Sequence, residues 1–282
     1  MDISKLPNGL KEGFTHGGLF HADDVFATAL LKILSPEIKI TRGFSVPTDY
    51  EGIVYDIGGG CFDHHQKDRR IRENRIPYAA FGLLWEKFGE CLLCGEDAER
   101  FDKEFVQQID WSDNTGEPNM LAATIADRNL TWQDEPSLAE EAFDKAVEYA
   151  KEILEYRFHQ IRADRCAYEI ICEKAKECEG GILYLEQAIP WKDALKGRDI
   201  LYVIYPSLRG GYNVQAVPFD EDPMKPKVPF PESWRGADTQ ELQRITGIHD
   251  LTFCHMAGFL SAARTREGAY EAAKLSLGTR LK

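Results

Sequence analysis

The sequence of 282 residues lacks the features that mark several large protein classes. No stretch approaches the roughly 18–20 consecutive apolar residues of a transmembrane helix, and the first residues show no signal or transit peptide pattern. Cysteine is scarce, with seven residues at irregular spacing, which excludes a disulfide-stapled scaffold and predicts a cytoplasmic location. Hydrophobic residues make up 43% and charged residues 29% of the chain, which excludes a disordered or fibrous protein.

The chain is also poor in positive charge. Lysine and arginine number 34 against 47 aspartates and glutamates, a formal net charge of −13. A protein of this charge does not attract DNA or RNA through its overall electrostatic field. Any substrate that carries phosphate must therefore be held by local cations, which are either metal ions or a small basic patch.

Alternating strand and helix patterns in the first half predict a mainly parallel α/β sheet. The predicted strands lie within residues 13–21, 38–44 and 53–57, and the predicted helices cover 24–34, 77–88 and 97–109. The last of these helices is expected to stop at DWSDNTG. A long helical pattern without proline or glycine follows over residues 137–178, with a break expected near Ala163. Beyond it the pattern is strand-rich, with a hairpin between 200–205 and 212–217.

These patterns predict an α/β protein of two domains. The first, residues 1–136, has a mainly parallel sheet flanked by helices. Residues 137–180 form a long helical connection, which is more typical of a spacer than of one domain's core. Residues 181–282 form a smaller α/β domain with a mixed sheet.

Four of the seven histidines lie between residues 16 and 65, among a dense set of aspartates. The segments that carry these residues are THGGLFHADD, VYDIGGG and FDHHQ, and DWSDN adds further carboxylates. The carboxyl ends of neighbouring parallel strands converge on one crevice, so we expect these side chains to meet. Imidazole and carboxylate together suit Mn²⁺, Zn²⁺ or Fe²⁺ better than Ca²⁺, and their number suits two ions bridged by one carboxylate.

These residues also have interpretations that involve no metal. A single His or Asp beside a glycine turn is more often a cap or turn residue than a ligand. The adjacent histidines of DHH, with His-x4-His-x-Asp upstream, favour the metal interpretation. The GGG run at 58–60 is a weak phosphate-loop signal and more readily lets the backbone pass close to ions. The cysteine pair CLLC lacks the second pair that a structural zinc site needs.

The DHH triplet, with Asp56 upstream and a His/Asp-rich first motif, resembles the DHH phosphoesterase superfamily. Blocks over about residues 13–275 resemble the Myg (melanocyte-proliferating-gene) family more closely, and they include THGGLFHADD, YDIGGG, FDHHQ, IPYAAFGLLW, WKDAL, NVQAVP, PESWRG and CHMAGF. The resemblance implies a DHH-type catalytic domain with two Mn²⁺ ions, a linker and a substrate-holding domain. It also implies phosphodiester hydrolysis, with 3′–5′ exonuclease action on RNA in eukaryotic members.

The same resemblance implies roles for the metal-site residues. His16 and His21 would bind the first ion, Asp23 and His64 the second, and Asp56 would bridge the two. A carboxylate stands at the position of His21 in most DHH relatives, and the spacing from His16 differs by one residue. The identity of the ion therefore stays open, with Mg²⁺, Fe²⁺ and Zn²⁺ as alternatives to Mn²⁺.

The remaining site residues complete the prediction. In the catalytic triplet, Asp63 and His65 flank the ligand His64 and are expected to support the ligands and face the phosphate. The fourth motif offers Asp110 or Asp113 as a ligand, and placement at a helix end favours Asp110.

Substrate contacts are predicted in both domains. Basic residues follow the triplet directly, at Lys67, Arg69, Arg70, Arg72 and Arg75. Of these, Arg69 and Arg70 are predicted to contact substrate phosphate. Arg235, His255 and Gly258 resemble the residues with which nuclease-type relatives grip the substrate, although His255 can instead be a buried core residue.

The leading hypothesis is a Mn²⁺-dependent phosphodiesterase, a 3′–5′ exonuclease on RNA or short oligonucleotides, that uses a hydroxide activated by two metal ions. The alternatives are a phosphoesterase for a nucleotide or dinucleotide, and a metal-stabilised binding protein without turnover. A protein hydrolase is disfavoured, because no HExxH helix or Ser–His arrangement is visible. The expected partner is an RNA or oligonucleotide substrate, and no association with a membrane is expected. The oligomeric state stays open, with a homodimer as one option.

Overall fold

A computed structural model of the chain describes residues 10–178 and 180–278. The chain forms two compact units, which divide between Arg162 and Ala163. The predicted fold class is confirmed, since a parallel sheet is followed by a long helix and then by a mixed sheet. None of the described helices combines the length and the apolar character that crossing a membrane requires.

A three-stranded parallel sheet organises the first unit. Its strands are β1 (Glu12–His16), β2 (Lys39–Gly43) and β3 (Ile53–Val54), in the order β2-β1-β3. Strand β1 pairs with β2 from Glu12↔Lys39 to His16↔Gly43, and with β3 at Gly13↔Ile53 and Phe14↔Val54. Because all three strands run in the same direction, the loops that leave their carboxyl ends begin at one edge of the sheet.

Helices cover this sheet and supply most of the core. They are α1 (Ala22–Leu34), α2 (Ala80–Phe88), α3 (Gly95–Phe101), α4 (Gln107–Thr115), α5 (Met120–Ala126) and the first part of α6 (Ala139–Lys176). Helix α1 is apolar on nearly all sides and buried from Ala22 to Leu31, which is typical of a core helix. Aromatic rings pack beside it, including Phe26 against Phe81 and Trp85 against Phe158.

Two helices continue beyond the points where the sequence predicted an end or a break. The helix expected to stop at DWSDNTG continues to Thr115, where Gly116 with a φ of 73° ends it. A π-helical turn, Asp102–Val106, joins α3 to α4, and Asp110 therefore lies inside a helix. The break expected near Ala163 is absent, since α6 is a single helix of 38 residues.

The second unit is built on a mixed sheet of five strands. These are β4 (Ile182–Tyr184), β5 (Tyr202–Pro206), β6 (Tyr212–Ala216), β7 (Leu251–Cys254) and β8 (Leu260–Ala263), in the order β4-β5-β6-β8-β7. Strands β4 and β5 are parallel and the other pairs are antiparallel, which includes the predicted hairpin of β5 and β6. Helix α8 (Arg266–Gly278) packs on the sheet, and α7 (Thr239–Thr246), which the sequence did not predict, packs beside β7.

Candidate metal centre

The carboxyl ends of the parallel strands bring most of the predicted ligands into one cleft. His16 is the last residue of β1, and the loop after it leads to His21 at the start of α1. Asp56 follows β3, and α4 contributes Asp113 from the other side. The cleft has a volume of about 800 Å³ and is lined by His16, His21, Asp56, Ile57, Gly58, Asp63, His64, His65, Gln66, Arg69, Asp113 and Asn114.

Asp56 lies between two histidines at the centre of this cleft. His16 Nε2 is 3.2 Å from Asp56 Oδ2, and His64 Nε2 is 3.0 Å from Asp56 Oδ1. The backbone of Asp56 has a φ of 58°, in the left-handed region that favours glycine. Its amide donates to the carbonyl of Phe62 at 2.9 Å, which holds this turn. Strained backbone of this kind is common where a side chain is held in one orientation for function, here the Asp56 carboxylate between the two histidines.

A first group of ligand atoms consists of His16, Asp24 and Asp56, whose donor atoms lie within 4.8 Å of one another. Asp24 Oδ2 is 3.4 Å from His16 Nε2, while Asp24 Oδ1 accepts a hydrogen bond from the amide of His21 at 2.8 Å. Asp24 was not among the ligands predicted from the sequence. The motif HADD could have indicated it, because it places Asp23 and Asp24 at consecutive helix positions, whose side chains point about 100° apart. The two aspartates can therefore bind different ions.

A second group surrounds His64 Nε2. Asp113 Oδ2 lies 3.4 Å from this nitrogen and Asp23 Oδ2 lies 3.6 Å from it. His21 groups with Asp23 and Asp113 within 4.8 Å, whereas the resemblance assigned His21, together with His16, to the first ion. Asp56 contacts both groups of ligands, as expected of a bridging carboxylate.

The environment of Asp23 tests whether cations fit this arrangement. Asp23 is fully buried, and neither of its carboxylate oxygens has a hydrogen-bond partner within the described ranges. Burial, together with the nearby carboxylates of Asp56 and Asp113, raises the pKa of Asp23 well above its ordinary value. An unpartnered buried carboxylate is costly unless it is protonated or lies beside a cation. A divalent ion between Asp23, Asp113 and His64 would remove that cost, so the donor set fits a metal.

The titration of the first group follows from its geometry. Hydrogen bonding to Asp56 raises the pKa of His16 to about 9. Burial raises the pKa of Asp24 to about 7. Burial alone would also raise the pKa of Asp56, but hydrogen bonds from His16 and His64 outweigh it and lower the pKa to about 2. In the metal-free protein, protons on His16 and Asp24 therefore balance charge that a bound metal ion would balance instead.

Comparison with known proteins decides the family. The family model MYG1_exonuc, described as an uncharacterised protein family (UPF0160), matches residues 14–277. The chain belongs to the MYG1 family. The resemblance seen in the separate sequence motifs is thereby confirmed.

Several MYG1 proteins are similar over almost the whole chain. The MYG1 exonuclease of Homo sapiens is 29% identical over 94% of this chain and 85% of that protein. The MYG1 exonuclease of Bos taurus is 30% identical over 94% and 84%, and a MYG1 protein of Saccharomyces cerevisiae is 26% identical over 95% and 96%. No solved structure matches the chain.

In this MYG1 chain, Asp110 lies apart from the cleft that Asp113 lines. Asp110 is fully buried, accepts a hydrogen bond from the amide of Gly82 at 3.0 Å and pairs with Arg72 Nη2 at 2.7 Å. Burial raises the pKa of Asp110 to about 7 although Arg72 opposes the shift. The geometry thus favours Asp113 over Asp110 as a ligand, opposite to the preference drawn from the sequence.

Asp63 supports the turn that carries the two histidines. Its Oδ2 accepts a hydrogen bond from the amide of Gly59 at 2.7 Å, and its Oδ1 accepts one from the amide of His65 at 3.0 Å. Oδ1 also lies 2.8 Å from His65 Nδ1, which orients the imidazole. The side chain of His65 is 63% exposed, so its other ring nitrogen is accessible from the cleft.

The basic residues after the triplet have different partners. Arg69 lines the cleft and donates from Nη1 to Asn114 Oδ1 at 3.0 Å. Arg70 is paired with both carboxylate oxygens of Glu86, at 2.6 and 2.7 Å. Arg72 is paired with the buried Asp110. Arg69 is therefore the cation from this patch that is best placed to meet a substrate phosphate.

The three predicted substrate residues of the second unit lie together around the turn between β7 and β8. Arg235 Nε donates to the carbonyl of Phe230 at 2.8 Å, and the amide of Phe230 donates to the carbonyl of Gly258 at 2.8 Å. Gly258 has a φ of 67°, and a Cβ atom there would lie 2.6 Å from Arg235 Nε. His255 is half-buried, and its Nδ1 accepts a hydrogen bond from the amide of Ala257 at 3.0 Å. Glycine thus makes room for the arginine, and the substrate role of all three stays a prediction.

Proposed function

We propose that this chain is a phosphodiesterase that uses two divalent ions, most consistent with Mn²⁺, and removes nucleotides from the 3′ end of RNA or short oligonucleotides. The observation that carries the proposal is the pair of His/Asp groups around Asp56, with the buried Asp23 carboxylate lacking donors in the described chain. Relatives named MYG1 exonuclease support nuclease chemistry. A cytoplasmic location stays a prediction from the sequence.

Each ion would have its own ligands in the cleft. His16, Asp24 and Asp56 would hold one ion. Asp23, His64 and Asp113 would hold the other, with Asp56 between the two. When bound, divalent ions of this kind activate water for attack on a phosphodiester and neutralise charge on the phosphate.

The remaining cleft residues would act on the substrate directly. The Arg69 guanidinium, already at the cleft wall, can bind a non-bridging phosphate oxygen. His65 has its Nδ1 held by Asp63 and its ring exposed. An imidazolium at this position would present its Nε2–H to the phosphate or give that proton to the leaving oxygen. These positive groups lie within the cleft, while the protein as a whole is strongly acidic. This distribution agrees with recognition of a chain end rather than of a long nucleic acid surface.

The test is a Mn²⁺-titrated assay on end-labelled RNA and DNA ladders and on a dinucleotide. The wild-type protein should shorten RNA from the 3′ end. Asp56→Ala and Asp113→Ala should lose about a thousandfold in rate, because each removes a ligand of the ions that would neutralise charge in the transition state. Asp144→Asn, a change at an exposed acid paired with Lys32, is the matched control and should keep full activity.

The other outcomes separate the alternatives. Cleavage of the dinucleotide alone would support the small-molecule phosphoesterase. Tight Mn²⁺ binding with every substrate left uncut would support a binding protein. Absence of both Mn²⁺ binding and hydrolysis would overturn the proposal.

A further inference from the structure

The side-chain amide of Asn114 has a fixed orientation. Its Nδ2 donates to the carbonyl of Tyr78 at 3.1 Å and to the carbonyl of Asp110 at 2.9 Å. A carbonyl oxygen can only accept, so the amide nitrogen must face these two groups and the amide oxygen must face the other way. This network determines the orientation of the amide, which is otherwise ambiguous in asparagine.

The oxygen of Asn114 faces two residues of the cleft. Arg69 Nη1 donates to it at 3.0 Å, and His64 Nδ1 lies 3.5 Å from it. Because an amide oxygen cannot donate, a hydrogen bond with His64 requires the proton on Nδ1. The opposite nitrogen, Nε2, then has a free lone pair in neutral imidazole.

That lone pair would point at carboxylate oxygens. Nε2 of His64 lies 3.0 Å from Asp56, 3.4 Å from Asp113 and 3.6 Å from Asp23. In the metal-free protein a proton on Nε2 gives the hydrogen bond to Asp56, and a metal ion bound to neutral His64 would take the place of that proton. The residue that fixes the tautomer therefore prepares His64 for a metal ion.

We propose that Asn114 is a positioning residue of this centre, which sets the tautomer of His64 and holds Arg69 at the cleft wall. The proposal rests on the function proposed above. Asn114 directly follows Asp113 on α4, so one helix turn supplies both a carboxylate ligand and the support of the imidazole ligand. Asn114 also joins the metal site to the phosphate-binding arginine through a single oxygen atom.

The first test measures the affinity of the metal-free protein for Mn²⁺ by titration calorimetry. Asn114→Ala should weaken binding about 10–100-fold, the usual effect of removing a group that supports a metal ligand. Asn114→Asp keeps an acceptor oxygen toward His64 but loses the donors to Tyr78 and Asp110, and it should bind Mn²⁺ more tightly than Asn114→Ala does. Ser112→Ala removes a hydrogen bond to Glu117 from the same helix and should change affinity less than twofold.

The second test takes its main readout from the wild-type protein. With Zn²⁺ as a diamagnetic probe, ¹⁵N NMR of the wild-type imidazoles should show His64 protonated at Nδ1, with His64→Gln used to assign the signal. Arg69→Ala and Asn114→Ala should each raise KM, and together by less than the product of the two effects.

Three results would overturn the proposal: His64 protonated at Nε2, Asn114→Ala with wild-type Mn²⁺ affinity, or Asn114→Asp as weak as Asn114→Ala. Failure of the proposed function looks different, because the wild-type protein itself would then bind no Mn²⁺.

Discussion

Metal binding to the first ligand group should release protons, and the affinity should rise with pH. His16 with a pKa of about 9 and Asp24 with a pKa of about 7 both carry protons in the metal-free protein near neutral pH. A metal ion needs the neutral imidazole and the ionised carboxylate, so it competes with both protons. Because both pKa values lie above the ordinary values, binding strengthens as the pH rises and levels off near pH 9.

The size of the effect follows from the two pKa values. At pH 7, His16 is almost fully protonated and Asp24 is half protonated, so filling this group displaces about 1.5 protons. Each displaced proton changes the apparent affinity about tenfold per pH unit, and the dissociation constant for Mn²⁺ should therefore fall about 50-fold between pH 6 and pH 7.

Titration calorimetry in buffers of different ionisation enthalpy counts these protons directly. His16→Gln should lower the count by about one proton per chain at pH 7, and His159→Gln, a change at an exposed histidine of α6, should leave it unchanged. A wild-type count near zero, or an affinity that does not change between pH 6 and pH 8, would refute the reasoning.

Three further predictions concern single side chains. Asp23→Asn should stabilise the metal-free protein at pH 8 by about 1–3 kcal/mol, because it removes a buried carboxyl that is harder to ionise in the folded than in the unfolded chain. The same change should weaken Mn²⁺ binding. Thermal unfolding with and without Mn²⁺ measures both effects. Arg69→Ala should raise KM for an oligonucleotide about tenfold, and Arg70→Ala less than twofold, in steady-state kinetics. Arg72→Met should destabilise the fold by about 3–5 kcal/mol in urea, because it leaves the buried Asp110 without its cation.

A specific result would contradict each of these three predictions. Equal melting temperatures for wild type and Asp23→Asn at pH 8 would mean that the buried carboxyl is not unfavourable. The same comparison at pH 4, where the carboxyl is protonated in the native state and only about half ionised in the unfolded state, is the control and should show a much smaller difference. Equal KM values for the two arginine variants would contradict the assignment of Arg69. An unchanged unfolding midpoint for Arg72→Met would show that Asp110 has another partner.

Much of the first unit could be predicted because its signals are local. The strand runs before Gly17 and Asp56 have β-rich composition, and parallel strands with helical connections must present their carboxyl ends at one edge. The prediction that His16, Asp23, Asp56 and His64 share a cleft needed nothing more, and the distances agree with it.

The parts that failed depend on helix phase and on distant partners. Extension of α4 through DWSDNT depends on packing of its buried residues, which composition does not reveal. Placement at a predicted helix end favoured Asp110 over Asp113, but Arg72, 38 positions away, pairs with Asp110. Arg70 looks as available as Arg69 until Glu86 on α2 is brought beside it.

The sequence by itself determined the kinds of ligand, the strand ends that carry them and the α/β class, because these depend on residue chemistry and on periodicity along a few residues. Tertiary structure alone decided which carboxylate faces an ion and which is neutralised by an arginine. The physical reason is that a buried charge takes the partner that folding places within a few ångströms of it, and that partner comes from a remote part of the chain.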